Sequence, residues 1–144
     1  MRRLVCFLVL AVALAGCREV RVNQQGTGTT PAVGGSQVVV VRDRKALESL
    51  GIARSVDFRH EFAVVLLMGP HDRSGYRQII ESIRANPDGV RVVAFEEAPA
   101  NGGEPSDKYR TYTLWIIPNS VYRRGIKVQV VTPSDAPVAS TVLP

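Results

Sequence analysis

The stretch Phe62-Ala63-Val64-Val65-Leu66-Leu67-Met68 constrains the fold more than any other part of the chain. Seven consecutive apolar residues closed by Gly69-Pro70 have the length of a strand, and a strand with no polar face must be covered on both sides. It belongs in the middle of a sheet. Gln37-Val38-Val39-Val40-Val41 is a second, β-branched run of strand length. Between the two, Asp43 has the character of an N-cap, Ala46, Leu47 and Leu50 form an apolar stripe, and Gly51 is a stop, which predicts a short helix.

Further along, Asn86-Pro87-Asp88-Gly89 is a strong turn signal and Val90 to Phe95 reads as the strand that follows it. Tyr76, Ile79, Ile80 and Ile83 have helical spacing, yet a hairpin across the turn is equally natural, so periodicity leaves this segment open. Tyr109 to Ile117 predicts a strand with Tyr112, Leu114 and Ile116 on one face and Thr113, Trp115 and Ile117 on the other. Ile126, Val128 and Val130 alternate with Lys127 and Gln129 as a final, half-exposed strand. Gly69 to Gly75 and Glu96 to Lys108 read as loops, and residues 132–144 as a flexible tail. The expected fold is a small α+β domain, mainly antiparallel β-sheet with one short helix.

The N-terminal region carries a different signal. Arg2 and Arg3 precede an unbroken apolar run from Leu4 to Ala15, and Leu14-Ala15-Gly16-Cys17 closes it. This is the pattern of a bacterial lipoprotein signal and its lipobox. The run is 12 residues long, short of the roughly 20 that span a bilayer as a helix. Residues 1–16 are therefore expected to be removed and the Cys17 thiol to take up lipid, with membrane lipid as its partner. Two or more acyl chains anchor stably where one does not. Residues 17–35, rich in Gly, Thr and Gln, are expected to form a flexible tether spanning about 25 Å. That leaves residues 36–131 as the folded domain. The expected location is the cell envelope, on the outer membrane where there is one, since Arg18 is not the aspartate that retains lipoproteins on the inner membrane.

Composition excludes several functions. Cys6 falls in the leader and Cys17 is the lipid site, so the folded part has no thiol for redox, thiol-protease or cysteine–zinc chemistry. The formal charge of +5 falls to +3 once Arg2 and Arg3 are lost, and the basic residues do not interleave with aromatics as on a nucleic-acid platform.

Asp57-Phe58, the apolar strand 62–68 ending at Gly69, the short loop after it and Gly75-Tyr76 followed by a hairpin resemble the C-terminal domain family of PrcB. That family comprises accessory, lipoprotein-like subunits that stabilise a secreted bacterial protease complex. The resemblance covers roughly residues 38–131. The loop departs from the family pattern: Pro70-His71-Asp72-Arg73-Ser74 stands where an Arg-Pro and a Gly-Gly are common. The resemblance implies a strand for Tyr76 to Ile83, and a non-catalytic protein that holds an exported partner.

Candidate chemistry is sparse. His60 and His71 are the only histidines, set at opposite ends of a strand spanning about 23 Å, and are expected to be exposed to solvent rather than to share a metal. Ser74, His71 and Asp72 are too close in sequence to orient on one another as a triad. Glu96 and Glu97, adjacent on a strand, would point to opposite faces and could not flank one bond. No catalytic residue, metal or cofactor is expected. Gly69, Arg73, Gly75 and Tyr76 are the candidate partner-binding residues, with the tyrosine either a binding anchor or packed on the sheet. The expected function is binding and stabilising an exported protein such as a protease. The alternatives are a protease inhibitor, or an envelope spacer without a specific partner.

Overall fold

The structure, a computed structural model, describes residues 22–31 and 34–144; the leader 1–16 and Cys17 lie outside the described residues. Eight strands, a helix and one 3-10 turn follow in the order β1 (Asn23–Thr30), β2 (Gln37–Val41), α1 (Arg44–Ser49), β3 (Glu61–Arg73), β4 (Arg77–Asn86), β5 (Gly89–Glu97), β6 (Pro105–Pro118), the 3-10 turn Asn119–Val121, β7 (Lys127–Val131) and β8 (Pro137–Val142). They build two four-stranded sheets, ordered β1-β6-β3-β2 and β4-β5-β7-β8. The ladders are antiparallel except for β5 with β7. This is the small, mainly antiparallel α+β domain with one short helix that the sequence predicts.

The apolar strand lies where its composition demands. Phe62 to Leu67 are completely buried, with β2 on one side and β6 on the other. Phe62, Val64 and Leu66 face the second sheet and meet Val90, Val92, Ala94, Trp115, Ile117, Val128 and Val130 in the main core. Ala63, Val65 and Leu67 face the other way, into a second core with Leu114, Ile116, Leu47, Ile52 and Val56. The helix and the chain after it thus form a third layer over the first sheet. Asp43 Oδ1 caps that helix by accepting the Ala46 N–H at 2.8 Å, and Gly51 turns the chain at φ +73°.

The segment 76–83 is strand, and its helix-like spacing has a local cause. The register shifts between Ile80 and Ser82, so Ile80 and Ile83 both face the core although three positions separate them. A bulge moves a strand from period two toward period three, and sequence reads that as helix. Asn86 Oδ1 closes the following turn by accepting from the Asp88 and Gly89 N–H groups.

Four expected boundaries are corrected. Residues 23–30 are not tether: they form β1 on the edge of β6, held by the backbone ladder rather than by apolar burial. Gly28 lies flat on the Tyr112 ring, where a Cβ would sit 2.9 Å from a ring carbon. Val22 packs against the main core. Residues 137–142 are not a frayed tail but β8, which covers β7 and makes it an inner strand, with Leu143 buried. β3 does not stop at Gly69-Pro70. β2 ends opposite Leu67, so the proline falls at a register shift on a free edge, where a missing N–H costs no ladder bond. The 96–108 loop is likewise shortened from both ends, to 98–104.

Asp57 organises the turn into β3. Its carbonyl accepts the His60 and Glu61 N–H groups, and its carboxylate meets His60 Nδ1 at 2.9 Å and the Arg59 N–H at 3.2 Å. The hydrogen bond with His60 holds the Asp57 carboxyl below the usual carboxylate range, and the same contact raises the His60 imidazole. The contact is therefore complete only above the Asp57 pKa and below that of His60, fading as either is crossed.

In an NMR titration, Asp57→Asn should return His60 to the ordinary value of about 6.5; an unchanged titration would separate the two groups. Gly28→Val should force β1 off the Tyr112 ring and lower stability to urea by about 1–3 kcal/mol. A strand that tolerated valine there would not be packed on β6.

Candidate functional site

The chain crosses from the first sheet to the second between β3 and β4, at Ser74–Tyr76, and returns between β5 and β6, through residues 98–104. Both crossings lie at the same end of the sandwich and are stitched together. Ser74 N–H donates to the Glu104 carbonyl at 2.8 Å, the Glu104 N–H donates to Ser74 Oγ at 3.3 Å, and the Arg73 guanidinium donates to the Gly103 carbonyl at 3.0 Å. Gly75, at φ +97°, passes so close to Pro99 that a Cβ would meet the proline ring at 2.8 Å. The glycine before the tyrosine is there because two loops touch.

Beneath this double corner lies a polar cluster joining the two sheets. His71 Nε2 lies 2.8 Å from a Glu96 carboxylate oxygen, and Thr111 Oγ1 donates to the same carboxylate at 2.6 Å. Gln78 Nε2 donates to Thr111 Oγ1 at 3.1 Å and to the Leu66 carbonyl at 3.2 Å. The His71 and Glu96 side chains are 12% and 15% exposed. Tyr76 stacks on the His71 ring, with centroids 3.8 Å apart and planes 10° from parallel, and the Tyr109 ring is tilted against the same histidine at 5.6 Å. The Tyr109 hydroxyl donates to the Arg73 carbonyl at 2.7 Å.

The candidate residues therefore gather in one place. Gly69, Arg73, Gly75 and Tyr76 lie along the end of β3 and the corner after it, with Asp72, Arg73 and Ser74 exposed and Tyr76 half-buried. The tyrosine takes the packed role, as a lid on His71. His60 is exposed, as expected, but His71 is not: β3 runs past Pro70 and carries the ring between Tyr76 and Glu96. Glu96 and Glu97 point to opposite faces, as their spacing requires; Glu97 pairs outward with Arg77 at 2.7 Å. Ser74 Oγ is engaged by the returning loop and His71 by Glu96, so the serine and the histidine serve separate partners. Trp115 is core, fully buried, its indole N–H without a partner among the described residues.

Sequence reasoning missed Glu96, Thr111 and Gln78 as a unit. The available signal was parity: each is a polar residue at a position where its strand alternates toward the core. Below Gly69 on the opposite face, Arg110 is another buried polar group, its guanidinium donating to the Gly35 carbonyl at 3.1 Å, with burial pushing its pKa down. Gly34 and Gly69 leave space for it: a Cβ on either would stand 3.2 Å from the arginine. Among the described residues no group of three or more His, Cys, Asp or Glu is placed to hold a metal ion. Comparison of the chain with known protein families, curated proteins and solved structures finds no match.

Chemically, the cluster is a positioning device. A carboxylate fixed by the Thr111 hydroxyl holds a histidine, and the histidine holds the aromatic ring that defines the outer surface. Glu96→Ala should strip Thr111 and His71 of their shared acceptor and cost about 1–3 kcal/mol in urea unfolding. Glu97→Ala, one residue away on the solvent face, should stay within about 0.5 kcal/mol of the parent. Equal effects would mean that the buried carboxylate holds nothing.

Proposed function

We propose that this protein is a lipid-anchored bacterial envelope protein that acts by binding, and stabilises an exported partner such as a protease. The observation that carries the binding half is the stitched double corner. Two chain crossings locked by backbone hydrogen bonds present Asp72, Arg73 and Ser74 over a ring stack that cannot turn freely. Rigid, aromatic-backed loops on a sheet lose little entropy on docking, which is what a non-covalent holder requires. The anchor half is supported by Leu14-Ala15-Gly16-Cys17 behind its short apolar run. The resemblance to the PrcB C-terminal domain family supports an exported protease as partner. A non-catalytic role is in keeping with the use of His71, Glu96 and Ser74 within the fold itself.

The test is crosslinking and pull-down of the intact lipidated protein from membranes, with co-purifying proteins identified by mass spectrometry. The expected result is one recurrent exported protein, lost when Arg73→Ala and Tyr76→Ala are combined. Adding the purified protein to that partner should lengthen its lifetime; blocked activity would instead make this an inhibitor, and no stoichiometric partner would leave a spacer. Cys17→Ser should move the protein from the membrane to the soluble fraction, and retention of that variant would overturn the anchor.

A further inference from the structure

The charge of the domain is divided between its two ends. The end opposite the double corner is formed by the turn into β3, the 3-10 turn, the start of β7 and the β4–β5 hairpin. These pieces are tied to one another: Asn119 N–H donates to the His60 carbonyl, Tyr122 packs edge-on against Phe62 at 5.4 Å, and the Gly125 N–H donates to the Leu143 carbonyl. From this end project Arg42, lying over the Tyr122 ring, and Arg59, Arg84, Arg123, Arg124 and Lys127. All six are exposed, and the exposed acids among them are Asp57 and Asp88. The start of α1 adds Arg44 and Lys45 against its cap Asp43. At the double-corner end the balance reverses, with Asp72, Glu97, Glu104 and Asp107 exposed against Arg73, Arg77 and Lys108.

The basic end is also where the chain enters the fold. Asn23 pairs with Ile116 near the end of β6, and Val22 is packed on the core. Four residues separate Cys17 from Val22, five steps along the chain, so even a fully stretched chain reaches only about 18 Å between them. With residues 23–30 taken into β1, the domain has lost most of the tether that its composition promised. A short leash at one end leaves that end little choice of neighbour.

We propose that the basic end is a second membrane contact, which docks on the anionic phospholipid head groups around the anchor and holds the double corner outward. The proposal rests on Cys17 as the anchor. Basic side chains near an anionic leaflet each contribute to binding over a Debye length of about 8–10 Å, and a leash of at most about 18 Å holds the basic end within about two such lengths of the surface. From Pro118 to Tyr109, β6 rises about 3.3 Å per residue, so the corner stands roughly 30 Å above the lipid surface. The far end, with four exposed acids against three bases, gains no such attraction, which makes the upright orientation the favoured one.

The experiment uses the full mature chain with Cys17→Ser, free of lipid, and vesicles of phosphatidylcholine with or without phosphatidylglycerol. Sedimentation should show binding to the anionic vesicles, loss in high salt, and little binding to the neutral ones. Combining Arg123→Gln, Arg124→Gln and Lys127→Gln should weaken binding about 100-fold, at about fivefold per residue. Combining Arg77→Gln and Lys108→Gln, at the opposite end, should leave it unchanged. Equal binding to both vesicle types, or an unaffected triple variant, would overturn the proposal. If the vesicles are ignored while the parent protein stays with membranes in cells, the docking surface falls and the anchor stands. Mass spectrometry showing Cys17 unacylated in a soluble parent would remove the anchor itself, whatever the vesicles do.

Discussion

The structure depends on the Phe62–Met68 stretch of β3 having nothing polar to offer to water. A strand apolar on both faces is stable only with a layer on each side, and the domain supplies two different ones. The second sheet covers one face. The helix and the chain from Gly51 to Phe58 cover the other, which is why a single short helix suffices. Because β3 pairs with β2 and β6 while β4 and β5 belong to the second sheet, the chain must leave the first sheet after β3 and come back before β6. Both transits happen at the same end. The double corner is thus a topological consequence of the central strand.

The corner also needs polar residues where the core would otherwise be dry. Gln78 reaches across from β4 to the Leu66 carbonyl of β3 and to Thr111 of β6, so one amide ties the second sheet to two strands of the first. Glu96 completes the cluster by accepting from Thr111 and engaging His71. A buried carboxylate is costly without donors, and here every near neighbour that can supply one does so. The ring stack of Tyr76 on His71 is then positioned by groups that never reach the surface.

Much of this was legible in the sequence. The central strand, the helix with its Asp43 cap and Gly51 stop, the turn at 86–89 and the two faces of β6 all follow from local composition and alternation. What was not legible shares a physical character. β1 is bound through its backbone, and backbone hydrogen bonds leave no trace in side-chain pattern; its glycines and threonines look like linker. β8 starts at a proline and carries small residues, which also read as tail. In β4 the bulge at Ile80–Ser82 gave a strand helix-like spacing, which is why periodicity left the segment open. The loop residues Arg73, Gly75 and Tyr76 were found by their types, but the Glu96 cluster that holds them depends on a contact between sheets, and no local window contains both partners.

The pairing of β1 with β6 has a mechanical side. The strand runs from the basic end toward the corner, and Cys17, the lipid site we propose, precedes it in the chain. A pull between the membrane and anything gripping the corner therefore travels along the strand axis, and the hydrogen bonds from Asn23 to Thr30 are loaded together, in shear. A strand joined at its other end would be peeled away one bond at a time. With Cys17 as the proposed anchor, the polar stretch that resembles a loose leash would be the splice through which the domain is moored.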